Sequence, residues 1–174
     1  PVVHCLYALG DFSKPSVMAV NGVAVGIGVT MLLHADYVVV GESARLQLPF
    51  INLALCPEGS SSLNMVQNGG YLKAAEKLMF GEPFTADEAV AIGVATLVKP
   101  TGIVDDYAIE RAQQLAQKSP AAMRETKRLL KAHQADLLRR VMDEEIASFA
   151  RLMAGEHARE AMTAFFEKRR PVFD

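Results

Sequence analysis

The chain has 174 residues, 51% of them hydrophobic, which allows a sizeable core within one domain. Its net charge is −2 with 22% charged residues of both signs, so it has no basic footprint for nucleic acid. No apolar run approaches the roughly 20 residues of a membrane span. Cys5 and Cys56 lie in apolar surroundings without a CxxC pair or a ligand-spaced histidine, which argues against a metal centre or disulfide framework and fits a reducing cytoplasm.

In chain order, Pro1 to Phe12 places Val3, Leu6, Tyr7 and Leu9 on one helical face, with nothing capping its start. Val17 to Val20 is apolar without alternation and predicts a strand covered on both faces, ended by Asn21-Gly22. Val23 to Val25 leads to Gly26 and Gly28, which open the helix predicted from Gly28 to His34. Glycines there let a ligand approach the main chain, and the first amides of a helix have no partner within it. Such amides suit a phosphate, a thioester enolate oxygen, or simply close helix-strand packing.

Asp36 to Val40 reads as a β-branched strand and Ala44 to Leu48 as a shorter one closed by Pro49. Phe50 to Gly59 is apolar yet irregular and delivers one carboxylate, Glu58, between Pro57 and Gly59. A desolvated carboxylate has its pKa raised toward the range of proton shuttling. The same Glu58, with Ser60 to Ser62, also suits a plain helix start.

Helices follow from Leu63, at Tyr71 to Phe80, and from a capping box at Thr85-Ala86-Asp87-Glu88 through Ile92, stopped by Gly93. Val94 to Val98 is a short strand. Thr101 to Asp105 leads into a helix reaching Gln117, and Ser119-Pro120 starts one through Ala132. Asp136 to Met153 and Glu156 to Arg169 complete a helical C-terminal third. His34 reads as a packing histidine, Lys127, Arg128 and Lys131 as a solvated face, and Met65, Met79, Met123, Met142, Met153 and Met162 as core filler.

Taken together, AVNGVAVGIG, the strand beginning at Asp36, LPFINLALCPEGSSS, GEPFTADEAVAIGVA and FEKRRPVF resemble the crotonase (enoyl-CoA hydratase/isomerase) superfamily over nearly the whole chain. The resemblance implies an α/β fold, a crotonase-like spiral of short strands and helices over 1–100 with a helical, oligomerising region of the same domain over 101–174. It also implies an acyl-CoA thioester substrate without a separate cofactor, and assembly as a homotrimer or dimer of trimers. Pro57-Glu58-Gly59 looks like the segment of the second type of Δ3,Δ2-enoyl-CoA isomerase, which implies Glu58 as catalytic acid/base. Gly26-Ile27-Gly28 corresponds to the oxyanion turn, with the Ile27 N–H holding the thioester oxygen. Substrate contacts are expected at Ala24, Gly26, Gly28, Pro57 and Gly59, and an acyl pocket walled by Phe50, Ile51 and Leu55.

Family hydratases carry one glutamate just after the glycine turn and another just after the proline that ends the next strand, and here those positions are Thr30 and Phe50. A 1,3 proton shift needs one base, so this pattern favours isomerisation over hydration. A 2-enoyl-CoA hydratase or other crotonase reaction is the alternative, and a non-catalytic acyl-CoA-binding or assembly module is a third reading. The family's second oxyanion amide comes from a motif upstream of Pro1, so the sequence is expected to be the later two-thirds of a subunit, with the N-terminal part of the fold absent.

Overall fold

The computed structural model describes residues 2–173. The chain opens with helix α1 (Val2–Gly10), of which only Leu6 is buried. Strand β1 (Val17–Val20) follows, and Asn21-Gly22 then turns the chain into a separate strand, β2 (Val23–Val25). Helix α2 (Ile27–Thr30) continues as a 3-10 turn over Met31–His34, because the segment tightens instead of running on as one α-helix. Strands β3 (Tyr37–Gly41) and β4 (Arg45–Gln47) repeat the two-strand step of β1 and β2. After a 3-10 turn at Ile51–Leu53 come α3 (Ser61–Gly69), α4 (Tyr71–Phe80), β5 (Phe84–Thr85), α5 (Ala86–Ala91) and β6 (Leu97–Lys99). Four helices follow, α6 (Val104–Ala116), α7 (Pro120–Ala132), α8 (Ala135–Met153) and α9 (Glu156–Phe166), the last ending three residues short of the expected Arg169.

The strands form two three-stranded sheets, ordered β1-β3-β6 and β2-β4-β5. The first is parallel, with Val17 opposite Tyr37 and Val39 opposite Leu97. In the second, β2 and β4 are parallel and β4 and β5 antiparallel. Each pass of the chain lays one strand on each sheet and then turns, which is the expected spiral. Val38 and Val40 face the main core with Val29, Leu32, Leu46 and Leu48, while Val39 packs with Val104 and Ala108 of α6. Cover on both faces explains the unbroken valine run of β3.

β1 departs from the sequence reading. Among the described residues it is an edge strand: Met18 and Val20 pack on the main core and Val17 on the α6 cluster, so both faces carry cover, but Ala19 is exposed and the cover on the α6 side is incomplete. Two other expectations also change. Lys127 is buried and binds Asp36 at 2.6 Å and the Lys14 carbonyl at 2.7 Å, tying α7 to the sheet end instead of lying on a solvated face. Met65 and Met142 are core residues, but Met79 and Met153 are 61% and 41% exposed. Phe165 and Phe166 of α9 also stand in the open. No helix among the described residues is long and apolar enough to cross a membrane.

Candidate active site

The glycine turn forms at the junction of β2 and α2. Gly26 has φ 56° and ψ −118°, a combination closed to residues with a Cβ. Its N–H donates to the Gln47 carbonyl, and its carbonyl accepts from Val29 and Thr30. Among the described residues, the Ile27 and Gly28 amides have no backbone acceptor. A Cβ on Gly28 would meet only the Ala24 methyl at 3.8 Å, so the missing side chain leaves space above the turn.

The next turn of the spiral brings Glu58 against this junction. Glu58 is 8% exposed, and its Oε1 accepts a 2.5 Å hydrogen bond from the Thr30 hydroxyl. Among the described residues, its Oε2 is buried without a hydrogen-bond partner. Burial pushes the carboxyl above its usual range, the Thr30 hydroxyl pulls the other way, and the nearby Glu145 carboxylate adds to the rise. One oxygen is anchored and the other is open to take a proton.

Glu58 lines an apolar cleft of about 650 Å³ with Val2, Val3 and Leu6 of α1, Ile27, Phe50, and Ile146, Phe149 and Met153 of α8. Phe50 meets Phe149 edge-on, with ring centroids 6.4 Å apart. Ile27 also borders an open groove of about 660 Å³ running along β1, β2 and α2, which includes Ala24 and Gly28. The amide-bearing residue therefore stands where the two spaces meet.

The structure does not bring Phe50, Ile51 and Leu55 into one pocket. Ile51, Leu55 and Pro57 line a neighbouring apolar cleft of about 700 Å³ with Val66, Leu78 and Leu152. The irregular segment turns between these residues, through the 3-10 turn and a left-handed Ala54, so its apolar side chains diverge. Gly59 is packed from within: a Cβ there would meet Leu6 at 3.2 Å and Thr30 at 3.3 Å, and its φ is +67°.

The chain after Glu58 is held by groups that its own sequence does not show. Ser60 is also left-handed, at φ 59°, which is uncommon without glycine. His34 is the packing histidine expected, and its Nε2 bonds the Gly59 carbonyl at 2.8 Å. Burial keeps its pKa low, so the neutral ring is the donor here. Glu145 was not anticipated, although it lies on an α8 stripe with Met142, Ile146 and Phe149 at helical spacing. A carboxylate in an apolar stripe was the available signal.

The family model described as enoyl-CoA hydratase/isomerase matches residues 1–174. The chain is 35% identical over 165 residues to a 2,3-dehydroadipyl-CoA hydratase of Escherichia coli (strain K12), covering 95% of this chain and 65% of that protein. It is 37% identical over 155 residues to the peroxisomal enoyl-CoA delta isomerase 3 of Mus musculus, covering 89% of this chain and 49% of that one. A solved enoyl-CoA hydratase/isomerase from Pseudoalteromonas atlantica T6c superposes with a TM-score of 0.96 at 35% identity, over 99% of this chain and 70% of that chain. The chain thus spans between about half and two-thirds of the length of these curated relatives.

Proposed function

The chain belongs to the enoyl-CoA hydratase/isomerase family, and on that premise we propose that it carries the acid/base centre of a Δ3,Δ2-enoyl-CoA isomerase. The observation that carries this reading is the single Glu58 carboxyl, half anchored by Thr30 and half unpartnered, in a cleft whose other lining residues are apolar.

In this reading the thioester carbonyl sits at the Ile27 amide, where the apolar cleft meets the open groove. Glu58 Oε2 takes a proton from C2 of a 3-enoyl-CoA, and the electron pair delocalises onto the thioester oxygen and across C2 to C4. The Ile27 N–H steadies that oxygen; losing one such donor typically costs about 10² to 10³ in rate. Glu58 then returns the proton to C4, leaving the double bond between C2 and C3. No group is consumed, and Glu58 ends as the carboxylate it began as. Met153, Phe149 and Ile146 extend along α8 for two helical turns, about 10 Å, so the acyl tail lies there as an extended apolar chain.

Hydration is the second reading, and the likeness to a hydratase favours it. It needs a second carboxylate free to activate water. Among the described residues Glu145 is the other buried glutamate, yet both its oxygens already accept bonds, Oε2 from the Ser60 amide and Oε1 from the Ser62 amide and hydroxyl. Thr30 and Phe50 offer no base. The test is to supply the protein with a 3-enoyl-CoA and, separately, a 2-enoyl-CoA. Conversion of the first to the 2-trans ester, with little 3-hydroxyacyl product from the second, is the expected result. Faster hydration than isomerisation overturns the reading.

A further inference from the structure

The segment that presents Glu58 has an unusual backbone. Gly59 and Ser60 are both left-handed, at φ 67° and 59°, directly before the first residue of α3. A residue with a Cβ in that region persists only where its surroundings over-determine it. Those surroundings come from α8, some 85 residues away in sequence. Glu145 Oε2 accepts from the Ser60 amide at 2.5 Å, while Oε1 accepts from the Ser62 amide at 2.9 Å and the Ser62 hydroxyl at 2.5 Å. Ser60 Oγ donates to the Leu138 carbonyl, also on α8, at 3.1 Å. The Glu145 carboxylate thus caps α3, where two amides without an acceptor in the helix and the positive end of its dipole favour an anion.

Glu145 is 7% exposed and makes no ion pair among the described residues, so its charge is balanced by these donors alone. A buried carboxylate so held is costly to keep for packing alone. From this geometry we infer that Glu145 is a positioning residue for Glu58, locking the left-handed turn that aims the Glu58 carboxyl into the cleft. It thereby couples the helical region to the site. The inference rests on the reading of Glu58 as the acid/base.

Glu145 has a second, electrostatic consequence. Burial raises its own pKa while the Ser62 and Ser60 donors pull the other way. Burial is also the main cause of the raised proton affinity of Glu58, and Glu145 in its ionised form adds to that rise. The other titratable groups around this turn are His34 on the Gly59 carbonyl, Cys56 in the turn, Tyr7 of α1 paired with Asp143 of α8, and Lys131 of α7 beside His34. None of them hydrogen-bonds Glu58 or the Glu145 carboxylate. Removing the Glu145 charge therefore moves the Glu58 titration to lower pH.

Two variants separate reach from charge. Glu145→Gln keeps the length but turns an amide NH₂ toward backbone donors and removes the charge, whereas Glu145→Asp keeps the charge and shortens the reach. In both, kcat for isomerisation is expected to fall by about 10- to 100-fold with KM within threefold, the scale of a displaced catalytic group. The Glu58 carboxyl, followed by carbon-13 NMR with Glu58→Gln as the assignment control, is expected to titrate at lower pH in Glu145→Gln than in Glu145→Asp, which keeps the neighbouring charge. A kcat within threefold of wild type in both variants, or an unmoved Glu58 titration in Glu145→Gln, overturns the inference. If neither variant folds, Ser62→Ala removes one of the bonds to Oε1 and is expected to lower kcat several-fold at unchanged KM; an unchanged kcat overturns it there. If wild type does not isomerise enoyl-CoA, the isomerase reading fails, and hydrogen exchange at the Ser60 and Ser62 amides then decides the inference: faster exchange in both Glu145 variants supports Glu145 as the lock of the Glu58 turn, and unchanged exchange overturns it.

Discussion

Glu58 and Glu88 occupy opposite kinds of site in one small fold. Glu88 closes the Thr85 capping box: its Oε2 accepts from the Thr85 amide at 2.8 Å, its own N–H bonds the Thr85 hydroxyl, and Lys77 reaches its Oε1 at 2.7 Å. With every partner in place, and the Lys77 ammonium foremost among them, its carboxyl is held down at about 2. Glu58 has one hydroxyl partner, an unpartnered oxygen, apolar walls, and a proton affinity raised by burial. A fully satisfied carboxylate is an anchor for a helix. A carboxylate denied partners by its surroundings costs stability and keeps its capacity to move a proton.

The largest expected effect separates the two on activity. Glu58→Gln preserves the acceptor for Thr30 but removes the base, and isomerisation is expected to fall by about 10² to 10⁴. Glu88→Gln is expected to leave it within threefold, because the capping box lies outside the cleft. Stability should respond the other way, with Glu88→Gln weakening α5 by about 0.5–2 kcal/mol, the range for a lost cap, as read by urea denaturation. Comparable activity losses in both variants would erase the contrast.

The pH dependence of stability sharpens it. In the fold Glu58 binds its proton more tightly than at the ordinary value of 4.5, so its favourable contribution is complete below that value and is lost as pH rises through the raised folded value. Glu88 has the opposite sign: its contribution is present above 4.5 and is lost as pH falls toward about 2. Glu58→Gln is therefore expected to raise the melting temperature relative to wild type at pH 8, at a scale of about 2–4 °C per kcal/mol for a chain of this size. The gain should shrink toward pH 4. A gain that is constant with pH would remove the account of Glu58 as a desolvated acid.

The contrast also explains what the amino-acid sequence made legible. Thr85 to Glu88 is a local device whose partners are three residues apart, so its role can be read along the chain. The α/β spiral is legible for the same reason, since glycine, proline and β-branched residues mark each short element. Glu58 stood out as an isolated acid between Pro57 and Gly59, but its environment is assembled from Thr30, 28 residues earlier, and from Glu145 on α8. The diverging directions of Phe50, Ile51 and Leu55 were likewise hidden, because an irregular apolar run has no period that assigns side chains to faces. The edge position of β1 was hidden too, because a short apolar run looks alike at the edge and in the middle of a sheet.

The smallest effect concerns the acyl tail. Among the described residues lining the Glu58 cleft, Glu58 itself is the one charged group. Carbon-carbon bonds of about 1.5 Å advance a zigzag chain roughly 1.3 Å per carbon, so the α8 stripe accommodates about eight carbons. Each methylene up to that length is expected to raise kcat/KM about fourfold, from roughly 0.8 kcal/mol per buried CH₂. A terminal carboxylate on the tail should reverse that gain. Indifference to tail length in steady-state assays would move the acyl chain out of this cleft.

The central claim is that one carboxyl carries the proton from C2 to C4, and it is tested most directly with a 3-enoyl-CoA dideuterated at C2, in ordinary water. The account predicts that wild-type protein gives 2-trans-enoyl-CoA with part of its C4 hydrogen as deuterium by mass spectrometry, and that Glu58→Gln gives almost no product. Glu58→Gln forming that product at the wild-type rate, or wild type giving chiefly a 3-hydroxyacyl ester, would contradict it.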